Sequence, residues 1–456
     1  MIIYSARWVL PISSPAIEQG AIAVRGTRIV AVGARAQLIG RFPHATLRDL
    51  GNAAILPGLV NVHSHAELTL MRGWLEACET DFFSWLRRIT VARLEKLRDD
   101  DIRCSATLGA VEAARAGVTC LGDASDVAHA SMSALRDVGL RAVVFKEVFG
   151  PDPRAAREQF TKMEEKTAKL RELETERVRL GLSPHAPYTV SAPLLELVTE
   201  YAQRHAMPLM LHAAESQAET DLMLFGRGPF AESLARRGIQ WRAPGIPSIQ
   251  YLARLGFLAA RPLLAHCVRV DDADIDAIAA FGARVAHCPK SNAKLGHGRA
   301  PLISFLQRGI CVGLGTDSVA SNNTCDLLEE CRFAALVARF DLPEKGMVVT
   351  AEQMLRAATL DGARALGIED RTGSLEVGKE ADFTAVALDG AHQSPVHDVH
   401  AAIVFSSSAR DVRLTVVAGQ ELFRDGRVLT VDEAELRARA DAAAARLRVD
   451  PPDVGA

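Results

Sequence analysis

Hydrophobic and polar positions follow two different patterns along the chain. Near both ends, short apolar runs alternate with turn residues, as in MIIYSA and AIAVRGTRIVAVG early on and GSLEVGKEADFTAVAL and LTVVAGQELFRDGRVL later. This pattern is typical of strands joined by turns. We therefore expect residues 1–57 and 372–430 to form one small β-sandwich domain. The Ala/Arg/Glu-rich segment that follows predicts an exposed helix in residues 431–456, ending in a frayed tail.

The middle of the chain, residues 58–371, alternates apolar or β-branched runs with longer amphipathic stretches, a pattern typical of parallel βα units. The runs are GLVNV (58–62), GVTCLGD (117–123), RAVVFKEV (141–148), RVRLGLS (177–183), PLMLH (208–212), PLLAH (262–266), ARVAH (283–287) and CVGLGTD (311–317). Eight such units predict an α/β fold of the (β/α)8 TIM-barrel class. A doubly wound open sheet is the alternative, but no Gly-rich phosphate loop follows the first run.

One connection in this region is unusually long. Residues 217–261 carry the Trp/Pro-rich stretch QWRAPGIP. Long connections inside compact domains tend to be functional, which favours a lid or a substrate wall. A peripheral helical hairpin explains the segment equally well.

Composition narrows the class of protein. The net charge of −3 is spread over 456 residues and aromatics make up only 5%, which argues against a nucleic-acid binder. No apolar run reaches the ~18 residues of a membrane span, and the start shows no signal peptide. The eight cysteines form no CxxC pair, which indicates reduced thiols. We therefore expect a cytoplasmic protein that binds neither nucleic acid nor membranes.

Polar residues with metal chemistry end several of the predicted strands: His63, His65, His212, His266, His287 and Asp317. The C-terminal strand ends of a TIM barrel form its active-site face, so these side chains would converge. A single His at a strand end is usually only a half-buried imidazole. In the HSH of the first run, however, side chains two residues apart point the same way, so both imidazoles face one site.

Three imidazoles and one carboxylate suit one divalent ion such as zinc or iron, and they leave a position for water. Such an ion lowers the pKa of bound water from about 16 to about 7. Glu215 lies three residues beyond His212 and is placed to carry the proton from this water to a substrate. An ordinary solvated glutamate is the alternative for Glu215.

The motifs that contain these residues are similar to those of a known superfamily. LPGLVNVHSHAELTLMRG resembles the first-strand motif of the amidohydrolase superfamily. PHAPYTVS, LMLHAAES, AHCV, HCPKSNAKLGHG and GLGTDSVASNN resemble successive motifs of its chlorohydrolase and deaminase branch. That branch contains S-adenosylhomocysteine, methylthioadenosine, aminofutalosine and guanine deaminases together with triazine hydrolases. The resemblance runs from about residue 5 to 425.

The resemblance implies roles for Glu215 and for all the strand-end residues except His287. One metal would be bound by His63, His65, His212 and Asp317. Glu215 would move a proton from the water to the ring nitrogen, His266 would orient the attacking hydroxide, and Asp317 would help to deprotonate it. Catalysis is therefore assigned to Glu215, His266 and Asp317.

Substrate contacts follow less directly from the resemblance. His185, in PHAPY, resembles the histidine that contacts the substrate. Glu67 gives the first motif an HxHxE form, and either Glu67 or Glu95 could hold a sugar diol. A salt bridge from Glu67 to a neighbour such as Arg72 is the alternative.

Five further positions keep two interpretations each. Ser291 and Asn292 match the SN of the seventh-strand motif, but a helix N-cap and turn also explains them. His287 can be purely structural. Lys146 and Glu147, in the third run, leave open a second metal site like that of binuclear superfamily members. Cys267 and Cys288 each follow a histidine directly, but neither is expected to act as a nucleophile.

The resemblance implies a hydrolytic deaminase acting on an adenine nucleoside of the S-adenosylhomocysteine, methylthioadenosine or aminofutalosine type. Hydrolysis of a guanine-type, triazine-type or other cyclic C–N bond is the alternative activity. A catalytically silent scaffold is a third hypothesis, but such proteins usually lose ligands that this chain keeps. We expect a small-molecule substrate and, from the resemblance alone, a homodimer.

Overall fold

The computed structural model describes residues 1–340 and 348–448, so the predicted frayed tail lies outside the described residues. Numbered along the chain, the strands are β1 (Ile2–Val9), β2 (Ile17–Arg25), β3 (Arg28–Ala34), β4 (Thr46–Asp49), β5 (Ala53–Pro57), β6 (Leu59–Ser64), β7 (Val118–Ser125), β8 (Arg141–Val148), β9 (Val178–Pro184), β10 (Met210–Ala213), β11 (Leu263–His266), β12 (Arg284–His287), β13 (Val312–Leu314), β14 (Phe383–Ala387), β15 (Val412–Val417), β16 (Gln420–Arg424) and β17 (Arg427–Val428).

The α-helices are α1 (Arg35–Arg41), α2 (Phe82–Val91), α3 (Asp99–Arg115), α4 (Ala128–Val138), α5 (Ala156–Arg171), α6 (Ala192–Arg204), α7 (Gln217–Phe225), α8 (Pro229–Arg236), α9 (Ser248–Arg254), α10 (Asp272–Phe281), α11 (Pro289–Lys294), α12 (Leu302–Gln307), α13 (Val319–Asn322), α14 (Leu327–Val337), α15 (Ala351–Ala357), α16 (Leu360–Leu366), α17 (Val399–Ala401) and α18 (Glu433–Arg448). A π-helical turn, Ala92–Lys96, continues α2. None of the described helices has both the length and the apolar character that crossing a bilayer requires.

The eight runs predicted as barrel strands are β6 to β13. Strands β6–β9 and β10–β13 form two parallel sheets of four strands each. A parallel bridge between Leu182 and Leu209 joins the sheets on one side, and one between Ser64 and Asp317 joins them on the other. The strands therefore close into a ring, and the predicted TIM-barrel fold is confirmed.

The apolar character of the barrel strands explains why they lie at the centre of the molecule. All six residues of β6 are buried, as are all eight of β7 and of β8. Continuous burial is expected for parallel strands that are covered on both faces. The polar residues at their carboxyl ends are therefore also held inside the protein.

Both termini contribute to a small β domain, as the sequence predicts. Its nine strands form one hydrogen-bonded sheet in which β5 pairs antiparallel with β14, joining the N-terminal and C-terminal parts. Tyr4, Ile22, Phe383 and Leu414 belong to its buried core. The exact domain boundaries stay a prediction.

The structure also describes the C-terminal helix and the long connection 217–261. Helix α18 is not exposed all round, because Leu436, Ala440, Ala443 and Leu447 are buried. These residues recur about once per turn and form one face, which packs on α3. The long connection 217–261 folds into α7, α8 and α9.

Candidate active site

The strand-end histidines and Asp317 meet at the carboxyl ends of the barrel strands. The Nε2 atoms of His65 and His212 are 3.3 Å apart. Oδ1 of Asp317 lies 3.4 Å from Nε2 of His63 and 3.5 Å from Nε2 of His65. The structure therefore brings together all four residues predicted as metal ligands.

Neighbouring groups orient these ligand atoms. Nδ1 of His212 donates a hydrogen bond of 2.9 Å to the carbonyl oxygen of His185, so its Nε2 faces the other ligands. The carboxylate oxygen Oδ2 of Asp317 accepts hydrogen bonds from Oγ of Ser291 (2.6 Å) and of Ser321 (3.1 Å). Outer contacts of this kind fix the direction of metal ligands.

This donor set fits a divalent cation. Nε2 of His63 is buried and has no hydrogen-bond partner among the described residues. The ligand atoms of His63, His65 and His212 lie within 4.8 Å of one another, as do those of His63, His266 and Asp317. Imidazole nitrogens and a carboxylate oxygen that lie this close together form a ligand set that suits zinc or iron.

The backbone is strained at the ends of the strands that carry the site. His266 has a φ of 72°, Asp317 of 57° and Ala214 of 51°. Residues other than glycine avoid this left-handed region, and such strain is concentrated at functional sites. Glycine at position 315 allows the backbone of this strand end to lie close to His63, because a Cβ at that position would be only 2.8 Å from Cβ of His63.

Glu215 and His266 lie beside each other next to the ligand cluster. Oε1 of Glu215 is 3.6 Å from Nε2 of His266 and 3.4 Å from Nε2 of His297. Burial acts to raise the pKa of Glu215, but these two histidines outweigh it and lower that pKa below its usual value. The carboxylate is therefore ionised at neutral pH and able to accept a proton.

Glu219 fixes the backbone on which Glu215 is mounted. Its carboxylate accepts hydrogen bonds from the backbone N–H groups of Ala214 (2.8 Å) and Glu215 (2.9 Å). Oγ of Ser248, on α9, donates a further bond of 2.5 Å. Burial raises the pKa of Glu219 to about 7. The long connection thus reaches the catalytic loop through α9.

A cavity of about 1030 Å³ opens over the site. Its lining includes the aromatic residues Phe82, Phe83, Trp85, Phe149, Tyr188 and Phe230. The rings of Tyr188 and Phe230 stack with centroids 4.1 Å apart. Because Phe230, Ser233 and Leu234 belong to α8, the long connection supplies part of the cavity wall, as one of its two interpretations predicts.

His185 lies on the wall of this cavity, and its contact with the substrate stays a prediction. Its Nδ1 is 2.9 Å from Oγ1 of Thr189, and its ring is tilted against that of Phe149. Burial lowers the pKa of His185 to about 3, so the imidazole is neutral at physiological pH. A neutral ring can accept or donate a hydrogen bond with its remaining nitrogen.

Glu67 is placed differently from the prediction that it binds substrate. It does not line the cavity, and its carboxylate accepts bonds from Arg93 (3.1 Å), from Oγ of Ser125 (2.5 Å) and from two backbone N–H groups. Its salt bridge is to Arg93, since Arg72 pairs with Glu112. We therefore revise the assignment: Glu67 holds Arg93, and Arg93 lines the cavity.

The structure also places the other candidate for a sugar contact, Glu95, and the two candidates for a second metal site, Lys146 and Glu147. Glu95 is exposed to solvent and does not line the cavity. Glu147 is buried on the cavity wall, and its ligand atoms lie within 4.8 Å of those of His185 and His212. Lys146 pairs with Asp126 at 2.8 Å.

Three residues that follow or end strands do not line the cavity. His287 is buried, and burial lowers its pKa to about 4, which agrees with a structural role. Cys267 and Cys288 are buried, and burial raises the pKa of both thiols. Protonated thiols are poor nucleophiles, in line with expectation.

Several residues around the site were not identified from the sequence. Asp123 accepts hydrogen bonds from Oγ of Ser64 (2.9 Å) and the N–H of Ala66 (2.7 Å), fixing the chain around His65. Asp123 ends the second apolar run, GVTCLGD, and this position could have identified it as a site residue from the sequence. Arg93 and His297 carry no comparable signal, because neither ends a predicted strand.

Comparisons with known proteins agree with this architecture. The chain matches the Amidohydrolase family over residues 54–422, and a short segment, residues 20–45, matches an imidazolonepropionase-like composite domain of bacteria. A Syntrophobacter fumaroxidans protein named 5-methylthioadenosine/S-adenosylhomocysteine deaminase is 33% identical over 426 residues, covering 92% of each chain.

Solved structures give the same result. A zinc-bound adenosine deaminase from Xanthomonas campestris is 31% identical with a TM-score of 0.85, covering 98% of this chain and 99% of that one. A zinc complex of atrazine chlorohydrolase from Arthrobacter aurescens is 25% identical with a TM-score of 0.83, covering 97% and 100%. The chain therefore belongs to the amidohydrolase family and is an enzyme that hydrolyses C–N bonds.

Proposed function

We propose that this enzyme deaminates an adenine nucleoside of the S-adenosylhomocysteine, methylthioadenosine or aminofutalosine type. The observation that carries the proposal is the position of Glu215 and His266 directly beside the His63–His65–His212–Asp317 cluster, at the inner end of an aromatic-lined cavity. Relatives that are named 5-methylthioadenosine/S-adenosylhomocysteine deaminase support the substrate class.

Hydrolytic deamination needs three things at the ring: an oxygen nucleophile at the amino-bearing carbon, a proton for the adjacent nitrogen and a proton for the departing amine. A divalent ion held by His63, His65, His212 and Asp317 supplies a nucleophilic water at neutral pH when bound. Zinc is proposed first, because related structures contain it, and iron second.

The chain's own residues account for the proton movements. The Glu215 carboxylate accepts a proton from the attacking water and delivers it to the ring nitrogen. His266 presents Nε2 toward Glu215 and orients the water. Asp317 accepts the second proton of this water and passes it to the departing amine, which leaves as ammonia. Groups of this kind typically contribute about 10²- to 10⁴-fold to the rate.

The cavity fits a nucleoside better than a free base. At about 1030 Å³ it is larger than a purine requires, and its aromatic side chains offer stacking surfaces to the ring. Arg87, Arg236 and Arg237 also line it. This favours a 5′ substituent that carries a carboxylate over a methylthio group.

Three broader properties are proposed together with the activity. All eight cysteines are unpaired, which supports a location in the reducing cytoplasm. The substrate is a small molecule, with neither nucleic acid nor membrane as a partner. A homodimer is proposed from the family resemblance.

An ultraviolet assay tests the proposal. Metal-loaded enzyme is given adenosine, methylthioadenosine, S-adenosylhomocysteine, aminofutalosine, adenine and guanine, and ammonia is measured in parallel. Conversion of an adenine spectrum into a hypoxanthine spectrum supports the proposal, and the relative rates identify the 5′ substituent. No change on any adenosine compound, with metal bound, would favour a guanine-type or triazine-type hydrolase.

A further inference from the structure

A buried histidine, His297, lies directly beside the proton-transfer group Glu215. Its side chain is 4% exposed, and its Nε2 is 3.4 Å from Oε1 of Glu215. This nitrogen has no hydrogen-bond partner of ordinary geometry among the described residues. Buried polar atoms in folded proteins are normally paired. A buried nitrogen that faces a buried carboxylate and has no other partner therefore indicates an interaction with that carboxylate.

The end of helix α11 determines where His297 lies. Gly296 has a φ of 67°, in the left-handed region, and the N–H of His297 donates a hydrogen bond of 2.9 Å to the carbonyl oxygen of Asn292. Helices commonly end with a glycine in this conformation and with a bond of this kind. The side chain of Asn292 also binds Nδ1 of His266. One helix therefore fixes both histidines that flank Glu215.

The ring of Phe82 holds His297 from another direction. The two rings meet edge to face, with centroids 4.5 Å apart. Among the described residues, the cavity lining includes Phe82 and Glu215 but not His297. A substrate in the cavity would therefore contact Glu215, and His297 would act on the reaction through that carboxylate.

The two histidines offer Glu215 different groups. Because Nδ1 of His266 donates to Asn292, Nε2 of the neutral ring carries a lone pair and cannot donate to a carboxylate. Nε2 of His297 is free of this constraint and can carry its proton there. Burial acts to raise the pKa of Glu215, and a hydrogen bond from His297 is one of the interactions that outweigh it.

We propose that His297 is a positioning residue for Glu215: its Nε2–H donates to Oε1, which leaves Oε2 to carry the transferred proton. A carboxylate held at one oxygen keeps one orientation and therefore delivers the proton in one direction. The distance of 3.4 Å is long for a hydrogen bond, but such bonds are often long in unliganded enzymes and shorten when substrate binds. The inference rests on the proposed function of Glu215.

Two variants at position 297 test this role. His297→Leu removes the donor, whereas His297→Gln places an amide N–H at about the reach of the histidine Nε2. A hydrogen bond to a buried charged group corresponds to about 10- to 100-fold in rate. We expect His297→Leu to lower kcat by this factor with a smaller change in KM, and His297→Gln to recover most of the loss. His129→Leu, at an exposed histidine of α4, is the matched control and keeps wild-type kinetics.

A double-mutant cycle shows whether His297 acts through Glu215. In the Glu215→Gln background, His297→Leu should reduce kcat no further, because the carboxylate that His297 holds is already absent. A loss by the same factor as in the wild-type background would mean that His297 supports the fold instead, and it would overturn the inference. Wild-type kcat in His297→Leu, or a folded, metal-loaded His297→Gln enzyme as slow as His297→Leu, would overturn it as well.

The proton on His297 can be observed without any substrate, so failure of the proposed function is distinguishable from failure of this inference. Zinc-loaded enzyme labelled with ¹⁵N-histidine is examined by NMR, and the His297 signals are assigned by their loss in His297→Gln. A protonated Nε2 whose ¹⁵N shift changes in Glu215→Gln supports the inference, even if wild-type enzyme releases no ammonia from any nucleoside. An unprotonated Nε2, or a shift that Glu215→Gln leaves unchanged, overturns it whatever the activity.

Discussion

Nδ1 of His266 donates a hydrogen bond of 2.8 Å to Oδ1 of Asn292. This bond fixes the ring so that its other nitrogen, Nε2, points toward Glu215. Asn292 lies on α11, next to Ser291, which donates a hydrogen bond to Asp317. The SN pair of the seventh-strand motif therefore contacts two site residues, which goes beyond the N-cap and turn interpretation.

Asn292→Ala is expected to lower kcat by about 10- to 100-fold, because the His266 ring loses the group that orients it. Metal content should not change, since the side chain of Asn292 contacts His266, which is not one of the four proposed metal ligands. Steady-state kinetics and metal analysis check this outcome. Asn52→Ala, at an exposed residue of the small β domain, serves as the control. Unchanged kcat in Asn292→Ala would show that His266 needs no such support.

Glu215→Gln is expected to reduce turnover by about 10²- to 10⁴-fold while metal stays bound, because the amide cannot accept the proton of the attacking water. Ammonia release and metal content are the two measurements. Glu232→Gln, an exposed position on α8, should behave like wild type. A fully active Glu215→Gln enzyme would rule out the proton-transfer role.

Phe230→Ala is expected to raise KM by about tenfold with a smaller effect on kcat, since one stacked aromatic contact is worth about 1–3 kcal/mol. The ring is buried on the cavity wall and stacks on Tyr188. Phe225→Ala removes a ring of the same connection that is 59% exposed, and it provides the matched control. Equal kinetics for both variants would place α8 outside the substrate site.

The barrel and its cluster of proposed metal ligands were predictable from the sequence, because both follow from local patterns of residues. Apolar runs indicate buried parallel strands, and the residue after each run lies at the active-site face. The HSH of residues 63–65 adds the alternation of side chains along a strand. These signals need no knowledge of distant contacts.

The polar wall of the cavity could not be predicted in the same way. Glu67 is engaged by Ser125 and Arg93, which are remote in sequence. Arg93 and Glu95 belong to the π-helical turn Ala92–Lys96. A π-turn changes which side chains share a face, so helical periodicity does not show that Arg93 reaches the cavity and Glu95 does not.

The buried carboxyl group of Glu330 is expected to make the free energy of unfolding depend on pH. It is fully buried on α14, where Nδ2 of Asn322 and the N–H of Lys290 donate to its carboxylate. Burial raises its pKa to about 8 from an ordinary value of 4.5. Between these values the unfolded chain releases the proton and the folded protein keeps it, so the contribution to stability is complete below 4.5 and is lost as the pH rises toward 8.

Glu330→Gln removes this titration. The stability of the variant relative to wild type should therefore increase as the pH rises through this window, by up to ~1.4 kcal/mol per pH unit. Urea unfolding of both proteins at several pH values measures the difference. Glu352→Gln, an exposed position on α15, should show no trend. A difference between Glu330→Gln and wild type that is independent of pH would mean that Glu330 titrates normally in the folded protein.

We propose that this enzyme replaces a ring amino group with an oxygen taken from water at the cluster of His63, His65, His212 and Asp317. The most direct measurement is a reaction in H₂¹⁸O with the best nucleoside substrate, in which the product is analysed by mass spectrometry and ammonia is counted. We predict one ¹⁸O in the product for each ammonia released, loss of both after chelation, and recovery with zinc or ferrous iron. A nucleoside that is returned unchanged by the metal-loaded enzyme, or ammonia released without incorporation of solvent oxygen, would contradict the claim.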